Sequence, residues 1–150
     1  MYKVFILDDV IDNCIVISEL LSPQFKCEYS HLPQEALAKI REFKPNLILL
    51  DFKMPILNGV DICRALKEKE ETKNIPIIFI SGAATEDEKI ESLESGGDDF
   101  IAKPFHPKEL ILRVQKRIIG YVDSIKSTAP SAPAQAHVIS ALNLEMNLKI

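Results

Sequence analysis

Four apolar runs of this sequence are followed directly by side chains that can bind a metal ion or a phosphoryl group. Asp8 and Asp9 follow KVFIL, Asp51 follows NLILL, Ser81 follows IPIIFI and Lys103 follows DFIA. Three carboxylates brought together raise one another's pKa and resist joint ionisation, and a hard divalent cation relieves that repulsion. Mg²⁺ prefers oxygen ligands and retains several waters. These residue types therefore predict an acidic magnesium site beside one ammonium and one hydroxyl group.

The same side chains could also take part in phosphoryl transfer. An ammonium and a hydroxyl group complement the equatorial oxygens of a phosphoryl group. Asp51 would be the nucleophile, with Mg²⁺ and Lys103 stabilising the charge. Each motif alone has an ordinary alternative, because a pair of acids after a strand is usually a turn or a helix cap, and Ser-Gly after a strand is usually a turn. Their joint occurrence at successive strand ends favours a site for phosphoryl transfer.

A parallel sheet would bring these side chains together. Five β-rich runs alternate with segments of helical spacing, and three of the runs are almost continuously apolar, as strands buried on both faces of a parallel sheet are. This alternation predicts an α/β fold, an open parallel sheet with helices on both faces and a site beyond the carboxyl ends of the strands. The shortest and most polar strand is placed at an edge. The predicted strands are 3–7, 26–29, 46–50, 75–80 and 99–102.

Proline, glycine and apolar spacing predict where the helices begin and end. Pro33 and Pro107 each suit the first turn of a helix, where a missing N–H costs nothing. The first helix is predicted to end at Ser22, because a proline follows. The fourth helix is predicted over 85–95, before a Gly-Gly pair, and the last over 107–126.

Size and composition restrict the classes of function. A chain of 150 residues allows one domain with a tail, and a net charge of -4 argues against bulk electrostatic binding to nucleic acid. The apolar run at the N-terminus is too short for a signal peptide or a membrane span. Cys14, Cys27 and Cys63 are widely spaced and odd in number, which indicates reduced, mostly buried thiols. We therefore expect a cytoplasmic protein that does not bind membranes.

The composition changes after residue 126. Residues 127–136 are small, uncharged and contain proline, so we expect a linker over 127–137 after a folded domain formed by 1–126. Residues 138–150 are apolar again but too few to form a core of their own.

Together these motifs resemble the receiver domain of two-component response regulators. The resemblance covers residues 2–122 and includes the acidic pair, DFKMPILNG around Asp51, FISG with Ser81 and DDFIAKPF with Lys103, in the order and spacing of the family. It implies a doubly wound, five-stranded parallel sheet in the flavodoxin-like order 2-1-3-4-5. It also implies that Asp51 accepts a phosphoryl group from the phosphohistidine of a sensor histidine kinase. The chain would then be a phosphoacceptor regulatory domain that promotes its own phosphorylation and slow dephosphorylation, and not a conventional enzyme.

The resemblance assigns roles to individual metal ligands. Asp9 and Asp51 would bind Mg²⁺ directly, Asp8 mainly through water, and the backbone carbonyl of Lys53 would be the remaining protein ligand. The Lys103–Pro104 peptide bond would be cis, as in the family.

Four residues match positions that control switching and phosphoryl lifetime in the family. Ser81 and Phe100 occupy the positions of the switch pair. On phosphorylation the hydroxyl would swing towards the new oxygens and the aromatic ring would turn inward, biasing a surface formed by the fourth helix, fifth strand and fifth helix. Lys53 and Ala83 lie at the lifetime positions. A lysine there can screen the attacking water and an alanine cannot orient one, so we expect slow self-hydrolysis.

Residues 89–114 resemble in particular the OmpR/PhoB subgroup, whose members dimerise through that same surface. Lys89 and Glu109, and Asp99 and Arg113, fall where the subgroup places ion pairs between subunits. Exposed pairs typically contribute less than about 1 kcal/mol each but help to set the register. Ordinary solvated helix charges remain the alternative.

The end of the chain resembles part of an output domain. Residues 141–150 are similar to the opening strands of the winged-helix DNA-binding domain of that subgroup. We therefore expect 138–150 to be the truncated start of a C-terminal output domain, with DNA bound only through the missing part of that domain.

Other function classes fit the residues less well. A phosphatase of the haloacid-dehalogenase type has its nucleophile on the first strand, usually as Asp-x-Asp, and its acidic pair last. A flavin-binding electron carrier needs a phosphate loop rich in Ser, Thr and Gly where this chain has DDVIDN. The preferred function is a phosphorylation-switched signalling module that controls transcription. A stand-alone phosphorelay intermediate and a non-phosphorylated scaffold pseudo-receiver remain the alternatives.

Overall fold

The computed structural model describes the backbone of residues 1–126 and the side chains of residues 1–123. The linker predicted over 127–137 and the output segment predicted over 138–150 lie outside the described residues. Strands and helices alternate along the chain: β1 (Lys3–Leu7), α1 (Ile11–Leu21), β2 (Lys26–Ser30), α2 (Pro33–Phe43), β3 (Leu47–Asp51), α3 (Gly59–Lys67), β4 (Ile77–Ser81), α4 (Glu86–Glu94), β5 (Asp99–Ala102) and α5 (Pro107–Lys126).

The five strands form one parallel sheet in the order β2-β1-β3-β4-β5, which confirms the predicted architecture. The observed β3 and β4 begin one or two residues later than predicted and extend one residue further. Asp51 pairs in register with Ile80, and Ser81 pairs with Ala102, so both polar residues belong to the ladder. β4 begins after Pro76, which has no N–H to donate to the ladder.

Two apolar clusters cover the two faces of the sheet. On one face α2 and α3 pack against the sheet, and on the other face α1 and α5 do so. The inner face of α5 carries Leu110, Val114 and Ile118, whose side chains are fully buried. Burial of one such side chain contributes roughly 1.5–3 kcal/mol, so α5 is firmly held.

Helix α4 is the least anchored of the five helices. Its single buried residue is Ser92, and its two large apolar side chains, Ile90 and Leu93, are about half exposed. The side chain of Thr85 caps the helix by accepting a hydrogen bond from the Glu88 amide at 3.2 Å. Since little apolar surface ties α4 to the sheet, its position depends on polar contacts at its ends.

The three cysteines are free thiols, as predicted. Cys14 and Cys63 are buried and Cys27 is half-buried, and burial raises the pKa of Cys14 and of Cys27 to about 11. Within the described residues no helix is long and apolar enough to cross a membrane.

Gly59 lets the start of α3 approach the end of β3. A Cβ at this position would overlap the backbone oxygen of Asp51 and lie 3.1 Å from the ring of Phe79. We expect Gly59→Ala to destabilise the domain by about 1–3 kcal/mol, because neither the backbone nor the buried ring can move away freely. Urea unfolding would measure the change.

Gly120 provides the matched control, because it is exposed on α5 and a Cβ there would meet no atom within 4 Å. Gly120→Ala is expected to stabilise the domain by about 0.5–1 kcal/mol. Equal effects of the two substitutions would contradict the steric explanation for Gly59.

Candidate functional site

The carboxyl ends of β1 and β3 bring three carboxylates together. Asp8 and Asp9 directly follow β1, and Asp51 is the last residue of β3, the adjacent strand. One oxygen atom of each side chain lies within 4.8 Å of the others. Asp8 is 2% exposed and Asp51 is 8% exposed, whereas Asp9 is half-buried. The structure thus brings together the acidic cluster predicted from the sequence.

Lys103 reaches this cluster from the end of β5. Its Nζ lies 3.1 Å from Oδ2 of Asp8 and 3.5 Å from Oδ1 of Asp51. Its backbone amide donates a hydrogen bond to the carbonyl oxygen of Ser81 at 2.8 Å, which ties the residue to the adjacent strand. The following Lys103–Pro104 peptide bond is cis, as expected. In the part of the chain that the structure describes, one ammonium group thus contacts two of the three carboxylates, and the cluster keeps a net negative charge.

Asp8 is oriented by the start of α1. Its Oδ1 accepts a hydrogen bond from the Val10 amide at 2.9 Å, and the side-chain amide of Asn13 donates to its carboxylate at 3.3 Å and 3.4 Å. Asn13 was not among the site residues predicted from the sequence. Its place in the first turn of α1, shortly after an acidic pair, is the signal that could have identified it.

Burial and repulsion oppose the ionisation of Asp51. Burial, followed by the charge of Asp8, raises the pKa of Asp51 to about 7, although Lys103 lowers it in part. Burial lowers the pKa of Lys103, but the charges of Asp51 and Asp8 outweigh it and raise the pKa overall. The cluster therefore lacks positive charge, and its oxygen donors suit a hard divalent cation.

Ser81 ends β4 beside this cluster, but its hydroxyl group is bonded to α4. Ser81 is 2% exposed, and its Oγ donates a hydrogen bond to Oε1 of Glu88 at 2.5 Å. The same Oγ accepts a bond from the Ala84 amide at 3.4 Å. Among the described residues, no hydrogen bond joins Ser81 to Asp51. Glu88 was not predicted as a site residue, although the Thr-x-x-Glu pattern at 85–88 marks it as a capping-box residue.

The other predicted site residues lie around this edge of the sheet. Phe100 is half-buried on β5, opposite Phe79 in the ladder, and it packs against the core on the α2–α3 face. Lys53 and Ala83 are exposed in the loops after β3 and β4. Their effect on phosphoryl lifetime stays a prediction.

Three of the four residues predicted to form ion pairs between subunits form two ion pairs within one chain. Nη1 of Arg113 lies 2.8 Å from Oδ1 of Asp99, and its Nη2 lies 3.5 Å from Oε2 of Glu109. Lys89 is exposed, and it forms no ion pair in the part of the chain that the structure describes. Arg113 is therefore already paired in the monomer, and pairing across a dimer remains a proposal.

Comparison with known sequences identifies the family. Residues 4–115 match the family described as "Response regulator receiver domain". The chain belongs to the response regulator receiver family. Its acidic cluster, Lys103 and Ser81 thus lie in a receiver domain.

Curated relatives of this receiver domain include transcriptional regulators. The phosphate regulon transcriptional regulatory protein PhoB of Pseudomonas aeruginosa is 44% identical over 91 residues, which cover 61% of this chain and 40% of the relative. The DNA-binding response regulator MtrA of Mycolicibacterium smegmatis is 40% identical over 128 residues, covering 77% of this chain and 54% of the relative. The match thus spans about half, or less, of these relatives, and the predicted resemblance to PhoB-like regulators is confirmed.

Solved structures of receiver domains share the fold. The chemotaxis protein CheY4 of Vibrio cholerae has a TM-score of 0.73 at 27% identity, covering 77% of this chain and 98% of that chain. The receiver domain of a Francisella response regulator has a TM-score of 0.71 at 30% identity, covering 79% and 97%. The doubly wound fold predicted from the sequence is therefore shared with receiver domains.

Proposed function

We propose that this receiver domain is a phosphorylation-switched signalling module in which Asp51 accepts a phosphoryl group from a sensor histidine kinase. The proposal rests chiefly on one observation: a buried carboxylate, mounted on the end of a central strand, lies beside one ammonium and two further carboxylates. In the transfer, the phosphorus–nitrogen bond of the phosphohistidine breaks and a phosphorus–oxygen bond to the Asp51 carboxylate forms.

We propose that the acidic cluster holds Mg²⁺. Asp9 and Asp51 would be direct ligands, Asp8 would act mainly through water, and the backbone carbonyl of Lys53 would complete the set. The clustered carboxylate oxygens and the single nearby ammonium support this assignment. When bound, the ion supplies positive charge for the oxygens of the incoming phosphoryl group.

The surrounding side chains would stabilise the negative charge of the phosphoryl group on Asp51. Lys103 Nζ, already 3.5 Å from Asp51, would counter a phosphoryl oxygen. The Ser81 hydroxyl would turn from α4 to donate to another oxygen, and Phe100 would turn inward behind it. The weak anchoring of α4 supports a shift of the α4–β5–α5 surface in response.

We propose that this shift controls transcription through an output domain that begins near residue 138, after a linker over 127–137. The descriptions of the PhoB and MtrA relatives as transcriptional or DNA-binding regulators support this output. Two domains would form a homodimer through α4, β5 and α5, with the pairs Lys89–Glu109 and Asp99–Arg113 setting the register. A cytoplasmic location is part of the same proposal.

Intact-mass measurement after incubation with acetyl phosphate tests the phosphoacceptor. We expect one phosphoryl adduct that requires Mg²⁺ and is lost in Asp51→Asn, because an amide is a far weaker nucleophile than a carboxylate. Asp61→Asn is the matched control, since Asp61 is exposed on α3 and should leave the adduct unchanged. After removal of the donor the adduct should decay slowly, owing to Lys53 and Ala83.

Two outcomes would contradict the proposed function. An adduct of the same yield in Asp51→Asn would place the acceptor elsewhere. No adduct from either acetyl phosphate or phosphoramidate in the presence of Mg²⁺ would favour a scaffold pseudo-receiver.

A further inference from the structure

The Ser81 hydroxyl group has one proton to donate, and the structure shows where it goes. It is donated to Oε1 of Glu88 at 2.5 Å, a distance typical of a hydrogen bond from a hydroxyl to a carboxylate. A hydroxyl has a single O–H donor, so Ser81 cannot donate to Glu88 and to a phosphoryl oxygen at the same time. The contact with Glu88 therefore competes with the movement that phosphorylation requires.

The same oxygen atom also orders the loop between β4 and α4. Ser81 Oγ accepts a hydrogen bond from the Ala84 amide at 3.4 Å, and Ala84 has a φ of 50°, a left-handed conformation that non-glycine residues rarely adopt. Rotation of the Ser81 side chain towards Asp51 would break both contacts. The loop and the first turn of α4 would then change together.

Glu88 has an alternative partner close by. It is the third residue of α4, and Thr85, the N-cap, already accepts a hydrogen bond from the Glu88 amide at 3.2 Å. In a complete capping box the glutamate side chain returns to the backbone amide of the N-cap residue. Within the described residues that second half is missing, since the Glu88 carboxylate is bonded to Ser81 instead. Glu88 can therefore exchange one partner for another without leaving the first turn of the helix.

We propose that Glu88 is a positioning residue: it holds the Ser81 hydroxyl in the unphosphorylated domain and, once phosphorylation draws Ser81 away, closes the capping box on the Thr85 amide. The inference rests on the proposed function of Asp51 and concerns the regulation of that same site. It links the state of the phosphoacceptor to α4 through one carboxylate that binds the Ser81 hydroxyl in one state and the Thr85 amide in the other. Because α4 has one buried residue, this exchange acts on the helix least restrained by the core.

Binding of beryllofluoride with Mg²⁺, a stable mimic of the phosphoryl group, tests the proposal. Glu88→Ala removes the short Ser81 contact from the unbound state and the capping-box hydrogen bond from the bound state. Affinity for beryllofluoride rises because the short hydroxyl–carboxylate contact is the stronger of the two. We expect Glu88→Ala to bind beryllofluoride about three- to tenfold more tightly than the wild type, and Glu88→Gln to show a smaller gain because a neutral acceptor holds the hydroxyl less strongly. Glu91→Ala, an exposed glutamate on the same helix, is the matched control and should bind as the wild type does.

A double-mutant cycle with Ser81→Ala separates this role from a general effect on α4. In the Ser81→Ala background, Glu88→Ala should change the affinity for beryllofluoride by less than about twofold, because the contact between the two side chains is already absent. The same gain in both backgrounds, or no gain in the presence of Ser81, would overturn the proposal.

Backbone amide signals in NMR spectra give a readout that does not depend on ligand binding. In the unbound protein, Glu88→Ala should shift the Ser81 and Ala84 amide signals, and Glu91→Ala should not. On addition of beryllofluoride, the Thr85 amide signal should shift in the wild type and much less in Glu88→Ala. Unshifted Ser81 and Ala84 signals would overturn the role of Glu88 alone, whereas failure of the wild type to bind beryllofluoride would overturn the proposed function and this inference with it.

Discussion

Asp51→Asn is expected to stabilise the metal-free domain at about pH 8 by on the order of 2–4 kcal/mol, and to lose this advantage as the pH falls towards about 5. Burial, followed by the charge of Asp8, raises the pKa of Asp51 to about 7 in the folded domain. An unfolded aspartate has a pKa of about 3.9. Between these values the folded state binds more protons than the unfolded state, so folding stability falls as the pH rises. Asparagine carries no charge and avoids this cost.

Urea unfolding in EDTA would measure the difference between wild type and Asp51→Asn from about pH 5 to about pH 8. The advantage of the variant should grow by roughly 1.4 kcal/mol per pH unit through the middle of this range. Mg²⁺ should then stabilise the wild type much more than the variant, because an ion that binds only the folded state adds stability by mass action. Asp61→Asn should show neither effect. An advantage that does not change with pH would contradict the raised pKa of Asp51.

The sheet and the position of the site could both be predicted from the sequence for the same physical reason. Continuously apolar runs such as those of β1, β3 and β4 can be buried on both faces only in a parallel sheet covered by helices. Parallel strands place all their carboxyl ends at one edge, so Asp8, Asp51, Ser81 and Lys103 had to converge there. The strand ends were wrong by one residue at Asp51 and Ser81, because an apolar run does not indicate whether the polar residue after it stays in the ladder.

The contacts that could not be predicted from the sequence depend on side-chain rotamers and loop conformations. The partner of Ser81 is determined by the turn at 82–84, where Ala84 adopts a positive φ that no sequence signal for alanine predicts. The pairing of Arg113 with Asp99 depends on the rotamer of a long side chain, which can reach a partner in its own chain or in another. A sequence pattern can assign a residue to a surface. The side chain with which that residue pairs becomes known only from the three-dimensional structure.

Lys103→Met is expected to separate metal binding from phosphorylation. Among the described side chains, Lys103 is the one cation in contact with Asp8 and Asp51, at 3.1 Å and 3.5 Å, and its side chain is 26% exposed. Its removal should destabilise the metal-free domain by about 1–3 kcal/mol, less than for a fully buried pair because water screens the lysine in part. The same change should tighten Mg²⁺ binding, because the ammonium group repels the cation from the carboxylates.

Lys103→Met should slow phosphorylation by acetyl phosphate, although it tightens Mg²⁺ binding. Loss of the ammonium group should slow adduct formation about 100-fold or more, because no other side-chain cation is in contact with the carboxylates of Asp8 and Asp51 in the described residues. Calorimetric titration with Mg²⁺ at about pH 9, above the raised pKa of Asp51, and timed intact-mass measurements would give the two results. Lys116→Met, an exposed change on α5, is the control and should alter neither. Weaker Mg²⁺ binding in Lys103→Met would mean that the lysine organises the carboxylates more than it repels the ion, and the charge-based account of the site would be wrong.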